Sequence, residues 1–423
     1  MTFDLAIESL SRTTPNTWRV EPFRRHAVLV NETNSDRGMP LLSLASTGNI
    51  QPRIEEGGLG KQAPSESTIE RYWICKPGDL VVNPMWLIGG GIGVSQTSGA
   101  VSPDYRVYRL GPSLHPRFVH HLLRSSPYRD QYRLYTRADT TFDRRVSKEN
   151  FHPMPLLIPP LEEQRRIADF LDAETARIDE LTALRRRQVA LLRERADVAL
   201  TGLFSQATGS REYRFRHLMR FNPCYGVLVP RFTDDGVPLI RVSDLGRLDN
   251  ELDRLPRIET DQAVEYRRTR ISPGDLLITV VGATIGRCDV APLETDGFNV
   301  SRAIARVQLI PGLSPWLMAA WVRGRQFRIQ AELATSGAAA QPALNMSDMA
   351  HFTVWLPETT KGRELLAERV SNHEKAVNSL LSAVDAQLSL LTERRQALIT
   401  AAVTGQFDVT TASGRNVTEG VSA

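Results

Sequence analysis

The chain has 423 residues, of which 41% are apolar and 24% charged. That balance belongs to a globular chain and excludes a disordered or fibrous one; the length suits two to four domains. A net charge of +4 and a pI near 9.0 are mildly basic and do not by themselves define a nucleic-acid partner. Cys75, Cys224 and Cys288 are odd in number and far apart, giving neither a disulfide framework nor a zinc spacing. MTFDLAIESL lacks a basic start followed by an apolar block, and the longest apolar run, around Trp316–Val322, is too short to span a bilayer. A reducing cytoplasm is the expected location. Five of the 52 Lys and Arg are lysines (61, 76, 148, 361, 375), so 47 are arginine. The guanidinium fork suits phosphate and guanine edges, but arginine codons favoured by a GC-rich genome would give the same count.

In chain order, MPLLSL (Met39–Leu44) comes first, then KPGDLVV (Lys76–Val82), which reads as a Pro-Gly turn entering a buried strand. NPMW (Asn83–Trp86) and IGGGIG (Ile88–Gly93) follow, then a strand at VYRL (Val107–Leu110). Pro116–Tyr135 reads as mainly helical, with Pro127 as a break or kink. A basic polar loop, Thr136–Lys148, leads to an apolar strand ending at Pro159–Pro160. A long charged helix then begins, with Glu162 and Glu163 in its first turn, where carboxylates suit the helix dipole.

The order then repeats. MPLLSL aligns with VPLIRV (Val237–Val242), KPGDLVV with SPGDLLI (Ser272–Ile278), and VSKENFHPMPLLIP (Val146–Pro159) with LNMSDMAHFTVWLP (Leu344–Pro357). LLRER (Leu191–Arg195) aligns with LLTER (Leu390–Arg394), and TGLF (Thr201–Phe204) with TGQF (Thr404–Phe407). Five matches in one order at nearly one offset mark a duplicated domain pair, since solenoid repeats are far shorter. The last offset is four residues longer than its neighbour, which predicts a second helix about one turn longer near its end.

Apolar residues recur along each long helix mostly at threes, fours and sevens. In the first they are Leu161, Ile167, Phe170, Leu171, Ile178, Leu181, Leu184, Leu191, Leu192 and Val198, with Gly202 ending the run. In the second they are Leu366, Val370, His373, Val377, Leu380, Val384, Leu388, Leu391 and Leu398. This is a coiled-coil seam, and the simplest partner for each helix is the other. Roughly 40 helical residues span roughly 60 Å, about the length of 17–18 base pairs. A plain dimerisation coil has the same periodicity.

The tokens IPP-LEEQ-RRIADFLD (Ile158–Asp172) and LLTERRQALITAAVTGQFDV (Leu390–Val409) resemble the DNA-specificity subunit of type I restriction–modification systems. So do Gly99–Leu110 and Ser336–Met349, which look like the family's recognition domains; the resemblance covers residues of about 10 to 409. PETTKGRELLAERV departs from the usual PPLEEQ run. The resemblance implies an α+β chain of two mixed α/β target-recognition domains in pseudo-twofold tandem repeat, separated by two long helices paired as an antiparallel coiled coil. Its expected parts are a first recognition domain (1–157), a central spacer helix (158–204), a second recognition domain (205–356), a C-terminal spacer helix (357–407) and a disordered tail (408–423). The expected seam is Ile167, Phe170, Ile178, Leu181, Leu184, Leu191, Leu366, Val370, Val377, Leu380, Val384 and Leu391.

The resemblance also implies double-stranded DNA as partner, with two methyltransferase subunits and an optional restriction subunit. No catalytic residue, metal or cofactor is expected in this chain; S-adenosylmethionine, ATP and Mg would sit on the partners. The expected DNA contacts are Arg137, Arg144, Arg145 and Lys148 in the first half, and Gln341 and Asn345 in the second, with Arg241 and Arg302 as additions.

Rival readings remain. NPMW and NPCY (Asn222–Tyr225) resemble the NPPY loop of amino-methyltransferases but lack its second proline, and an Asn-Pro turn accounts for both. IGGGIG and VVGATIG (Val280–Gly286) lack the Lys-Ser/Thr of a P-loop. His120 and His121 have no acidic neighbour in sequence, so packing or solvent exposure is expected rather than a metal. A fused methyltransferase, or a coiled-coil scaffold with no sequence preference, are the alternatives.

Overall fold

The strand that opens each globular part pairs antiparallel with the strand that closes it. The computed structural model describes residues 14–53, 65–136, 145–248, 252–336 and 342–409. In it Arg19–Pro22 lies against Pro155–Ile158, and Ser210–Arg214 against Thr353–Pro357. The closing strands carry the buried side chains Leu156, Leu157 and Ile158, and Val354 and Leu356. Each ribbon therefore anchors the chain in a core a few residues before a long helix begins.

Inside each ribbon is a four-stranded antiparallel sheet of one topology, built twice. The first runs Ala27–Val30, Arg106–Leu110, Leu80–Val82, Ile92–Val94; the second runs Cys224–Tyr225, Ile304–Val307, Leu276–Thr279, Cys288–Val290. The duplicated Pro-Gly-Asp motif enters the third-named strand of each. Asp79 and Asp275 are buried, and accept from the backbone N–H of Lys76 (2.9 Å) and Ser272 (2.8 Å) respectively. Asp79 also takes Arg109 through both carboxylate oxygens at 3.1 Å, and Asp275 takes Arg306 at 2.6 Å. The motif's aspartate thus closes a turn and holds a neighbouring strand.

The segment expected to be mainly helical is two helices, Pro116–Arg124 and Ser126–Tyr135. Pro127 sits in the first turn of the second helix, where its missing N–H costs nothing. The second copy splits likewise at Gly324, between Pro315–Arg323 and Arg325–Thr335. Aromatic rings fill both cores. Phe23 meets Tyr108 at 5.0 Å and Phe151 at 4.9 Å; Trp321 meets Phe215 and Phe327 at 5.1 Å. The architecture is therefore α+β, with the mixed α/β part duplicated and a long helix after each copy.

The long helices are Leu161–Ser205, of 45 residues, and Thr360–Val403, of 44. The second is not a turn longer. The shift in the TGxF motif is taken up by where the helix stops: Thr201–Phe204 is still helical, whereas Thr404–Phe407 follows the helix end. Gly202 does not terminate its helix. Phe204, buried in the core, holds the extra turn, and the chain first turns with positive φ at Gly209. Gly405, with φ 75°, does take the left-handed conformation expected after a helix.

The LEEQ signature is explained by its contacts. Glu163 accepts from the Trp18 indole N–H at 3.0 Å. Gln164 is fully buried, accepts from the His115 N–H at 2.8 Å, and donates to the carbonyls of Ser113 and Pro159 at 2.9 Å. In the departing second copy Arg363 fills this role by donating to the Pro357 carbonyl at 2.8 Å.

Two compact units emerge, and their boundary cuts across both long helices. One takes the chain up to Leu184 together with the part from Ala386 on; the other takes Arg185–Asp385. Within the first unit, Ile167, Leu171 and Ile178 share a core with Leu398, Ile399, Ala402 and Val403. Phe170 lies 5.6 Å from Phe407, and Asp179 accepts from Arg395 at 3.1 Å, so the two helical stretches run antiparallel. Within the second unit, Leu200 and Leu203 pack on the core holding Leu366 and Val370, while His373 Nε2 lies 3.0 Å from the Ala196 carbonyl oxygen, again antiparallel. His373 is thus a polar seam position.

The phase of the seam differs by one residue from the sequence reading at several places. Ile167, Ile178, Leu366, Val370 and Val384 are buried, and Phe170, Val377 and Leu391 are partly buried. Leu181, Leu184, Leu191 and Leu380 are exposed, at 43, 55, 46 and 54%. Stepping four and three residues on from Ile178 puts Thr182 and Arg185 on the partly buried stripe, followed later by Leu192; on the other helix Leu381 replaces Leu380. The phase is set by the anchored ends, and leucines one position off it face outward. Val409 packs partly buried on the first core, and residues 410–423 of the expected tail lie outside the described residues. No helix among the described residues is long and apolar enough to cross a membrane.

This phase is testable by urea unfolding. Ile178→Ala should cost about 3 kcal/mol, whereas Leu181→Ala should stay within about 0.5 kcal/mol. Equal losses would restore the other register.

Candidate nucleic-acid interface

In each unit the segment just before the closing strand is tied to the end of the central sheet strand. In the first, the Val146 N–H donates to the Pro84 carbonyl at 3.0 Å. In the second, Leu344 N–H donates to Val280 O and Gly282 N–H to Pro342 O, both at 2.8 Å. A short helix follows each, and its first residue is preceded by Ser147 in one copy and Asn345 in the other. The Ser147 hydroxyl accepts from Asn150 N–H at 3.2 Å; the Asn345 amide donates instead to Asp348 at 3.3 Å.

Arg145 and Lys148 are exposed at this edge of the first unit. Arg145 lies 3.7 Å from Asp104, a half-exposed pair of little energetic weight that leaves the guanidinium accessible. Tyr105, next in sequence, has its hydroxyl pushed up by burial, opposed by a hydrogen bond with Asn83. Asn345 is exposed at the corresponding edge of the second unit. Arg137, Arg144 and Gln341 lie outside the described residues. Arg241 and Arg302 come from neighbouring strand ends, since Ile240 and Val300 pair in parallel. Arg302 is exposed, whereas Arg241 is held by Asp244 through Nε and an Nη at 3.1 Å, which raises its pKa.

Features not read from the sequence adjoin these residues. Met85 and Trp86 stand 48 and 51% exposed on the turn bonded to Val146. In the second unit Phe221 is 62% exposed beside an open cleft of about 480 Å³ lined by Asn222, Pro223, Cys224, Arg268, Arg306 and Gln308. The Tyr225 hydroxyl donates to the Leu344 carbonyl at 3.3 Å, tying NPCY to the Asn345 segment. Burial raises the Cys224 thiol, which disfavours the nucleophilic thiolate. The double apolar tip of NPMW was the available signal for the first feature. Nothing local marked the second, which needs Arg268 and Arg306 brought together by the fold.

The helix Pro116–Arg124 braces the first interface from behind, using two stripes, each made of two residues four apart. His120 Nδ1 accepts from Val94 N–H at 3.4 Å, and Arg124 donates to the carbonyls of Gly90 (2.5 Å), Ile92 (2.9 Å) and Ser46 (2.9 Å). On the other stripe, Arg117 reaches Asp169 (2.5 Å) and Asp172 (2.8 Å), and His121 reaches Asp172 at 2.7 Å. The acidic partner missing from the local sequence is therefore supplied by the long helix. Among the described residues no group of three or more His, Cys, Asp or Glu could hold a metal.

One fold is built twice, each copy followed by a long helix, with exposed basic and polar residues at matching edges. No protein-family model matches the chain. It is 25% identical over 359 residues, 75% of its length and 72% of the relative's, to the type I restriction enzyme EcoBI specificity subunit of Escherichia coli. Its fold matches a chain from a structural study of complex assembly in the type I restriction–modification system (TM-score 0.71, 20% identity, 93% of this chain and 99% of that one). It also matches the HsdS subunit of Thermoanaerobacter tengcongensis (TM-score 0.51, 19% identity, 93 and 98% covered). The chain is thus similar in sequence to one type I restriction enzyme specificity subunit and shares its fold with chains of type I systems.

Burial, with His121 and Arg124 nearby, lowers the His120 pKa to about 3, against a raising effect of Asp172. The unfolded chain takes up this proton first, near pH 6.5, so the stabilisation is full above that pH and is lost as pH falls towards 3. Melting temperature should drop across this window, and His120→Gln should flatten the slope. An unchanged slope in the variant would assign the acid sensitivity elsewhere.

Proposed function

We propose that this chain is the DNA-specificity subunit of a type I restriction–modification complex. Each unit reads one half of a bipartite site, and the long helices set the unread gap. Methyltransferase partners carrying S-adenosylmethionine methylate adenine at the site, and a restriction subunit using ATP and Mg joins where one is present. The chain itself performs no catalysis. One observation supports this reading above the rest: the same scaffold is built twice, while the residues exposed at its matching edges, Arg145 and Lys148 in one copy and Ala343 and Asn345 in the other, differ. Two equivalent mounts with unlike surfaces suit two unlike half-sites.

Arg145 and Lys148, with Arg137 and Arg144, are the contacts proposed for the first half-site; Asn345 and Gln341, with Arg302 and Arg241, are those for the second. Base edges are read by such bidentate side chains, while phosphate contacts set register.

The test is a genome-wide adenine-methylation map of the host with and without this gene. Loss at one two-part motif of fixed gap is the expected result. An unchanged map, together with DNA binding that is salt-sensitive but indifferent to sequence, would instead favour a scaffold. Removing one heptad from each long helix, opposite one another, should shorten the gap by about 3 base pairs and leave both half-sites unaltered. Altered half-sites with an unaltered gap would refute the spacer role.

A further inference from the structure

Two motifs of the first unit, the Asn83–Trp86 turn and the glycine run that follows, form one object. Asn83 Oδ1 accepts from Met85 N–H and Asn83 O from Trp86 N–H, both at 3.1 Å. The loop closes on itself through Asn83 N–H to Gly91 O (2.7 Å) and Gly91 N–H to Trp86 O (2.8 Å). The indole of Trp86 lies against Gly89, where any Cβ would collide with it, and a Cβ on Gly91 would sit 2.9 Å from the Trp86 carbonyl oxygen. Gly90, with φ 89°, needs the left-handed conformation. From beneath, Arg124 holds the carbonyls of Gly90 and Ile92. The turn is thus held by its own backbone bonds and by Arg124, and it presents Met85 and Trp86, which are about half exposed.

The second unit keeps the backbone tie to the edge segment and changes the tip. Val280 is bonded to Leu344 as Pro84 is to Val146, but the residues presented are Ala283 and Thr284, which are small. A backbone tie held in common with a differing exposed tip is where a difference in sequence preference belongs. The tip of the first unit is apolar, and it adjoins the segment carrying Arg145. The apolar feature of a duplex major groove is the C5-methyl of thymine.

We propose that Met85, next to Trp86 on the turn, is a base-contacting residue of the first unit that packs against the C5-methyl of a thymine in one half-site. This rests on the DNA-specificity reading above. The test measures equilibrium binding of the full-length chain, in the complex in which it purifies, to duplexes carrying the mapped site. Each thymine is replaced in turn by deoxyuridine, which lacks only the methyl. The wild type should lose about fivefold or more in affinity at one position of one half-site. Met85→Ala should show the same loss on the thymine duplex and no further loss on the deoxyuridine duplex. Trp86→Phe, which keeps a flat ring over the glycines, should retain the discrimination. A wild type that prefers its site but tolerates deoxyuridine everywhere would overturn the proposal and leave the specificity reading intact. So would a Met85→Ala variant whose loss adds to that of deoxyuridine, or one that binds as wild type. A wild type with no site preference at all would overturn the specificity reading itself.

Discussion

A narrow apolar seam on a charged helix is the constraint on which the rest depends. Neither long helix can bury its seam alone, because more than half of its circumference is charged or polar. Each compact unit resolves this locally by packing a stretch of one long helix against an opposing stretch of the other. The globular parts then supply the ends of the seam. Gln164 and Arg363 hold the helix starts to the closing ribbons, and Phe204 and Phe407 seat the residues at or just beyond the helix ends. The heptad phase follows from these anchors.

The same economy appears within the first unit. One short helix, Pro116–Arg124, faces the long helix with Arg117 and His121 and the glycine loop with His120 and Arg124. Residues four apart on a helix share a stripe, so two stripes suffice to fix two neighbours. The exposed surface beside the loop is therefore mounted on partly buried hydrogen bonds. Loops so held can vary in side chain without changing the backbone that carries them.

Much of the chain was legible in advance because the signals were local. Pro-Gly-Asp before an apolar run requires a turn entering a buried strand, and Asp79 and Asp275 close those turns. The duplication was legible from ordered matches at one offset, and it reappears as one sheet topology built twice. Periodicity showed that both long helices carry a seam. It mistook Leu181, Leu184, Leu191 and Leu380 for members, because hydrophobicity alone does not record phase. The identity of neighbours was out of reach wherever the partner was distant in sequence, as for His121 with Asp172, 51 residues away.

The sequence by itself therefore determined the repeat, the turn chemistry, the existence of the paired helices and the family they resemble. Those depend on interactions within a few residues or on a period along the chain. Only the tertiary structure decided which leucines face inward, which arginines are held by buried carboxylates and which are exposed at an edge. It alone raised Met85 and Trp86 from an Asn-Pro turn to an exposed tip on a glycine floor. Exposure and pairing are properties of packing, and packing is set by residues that the chain brings together from far apart.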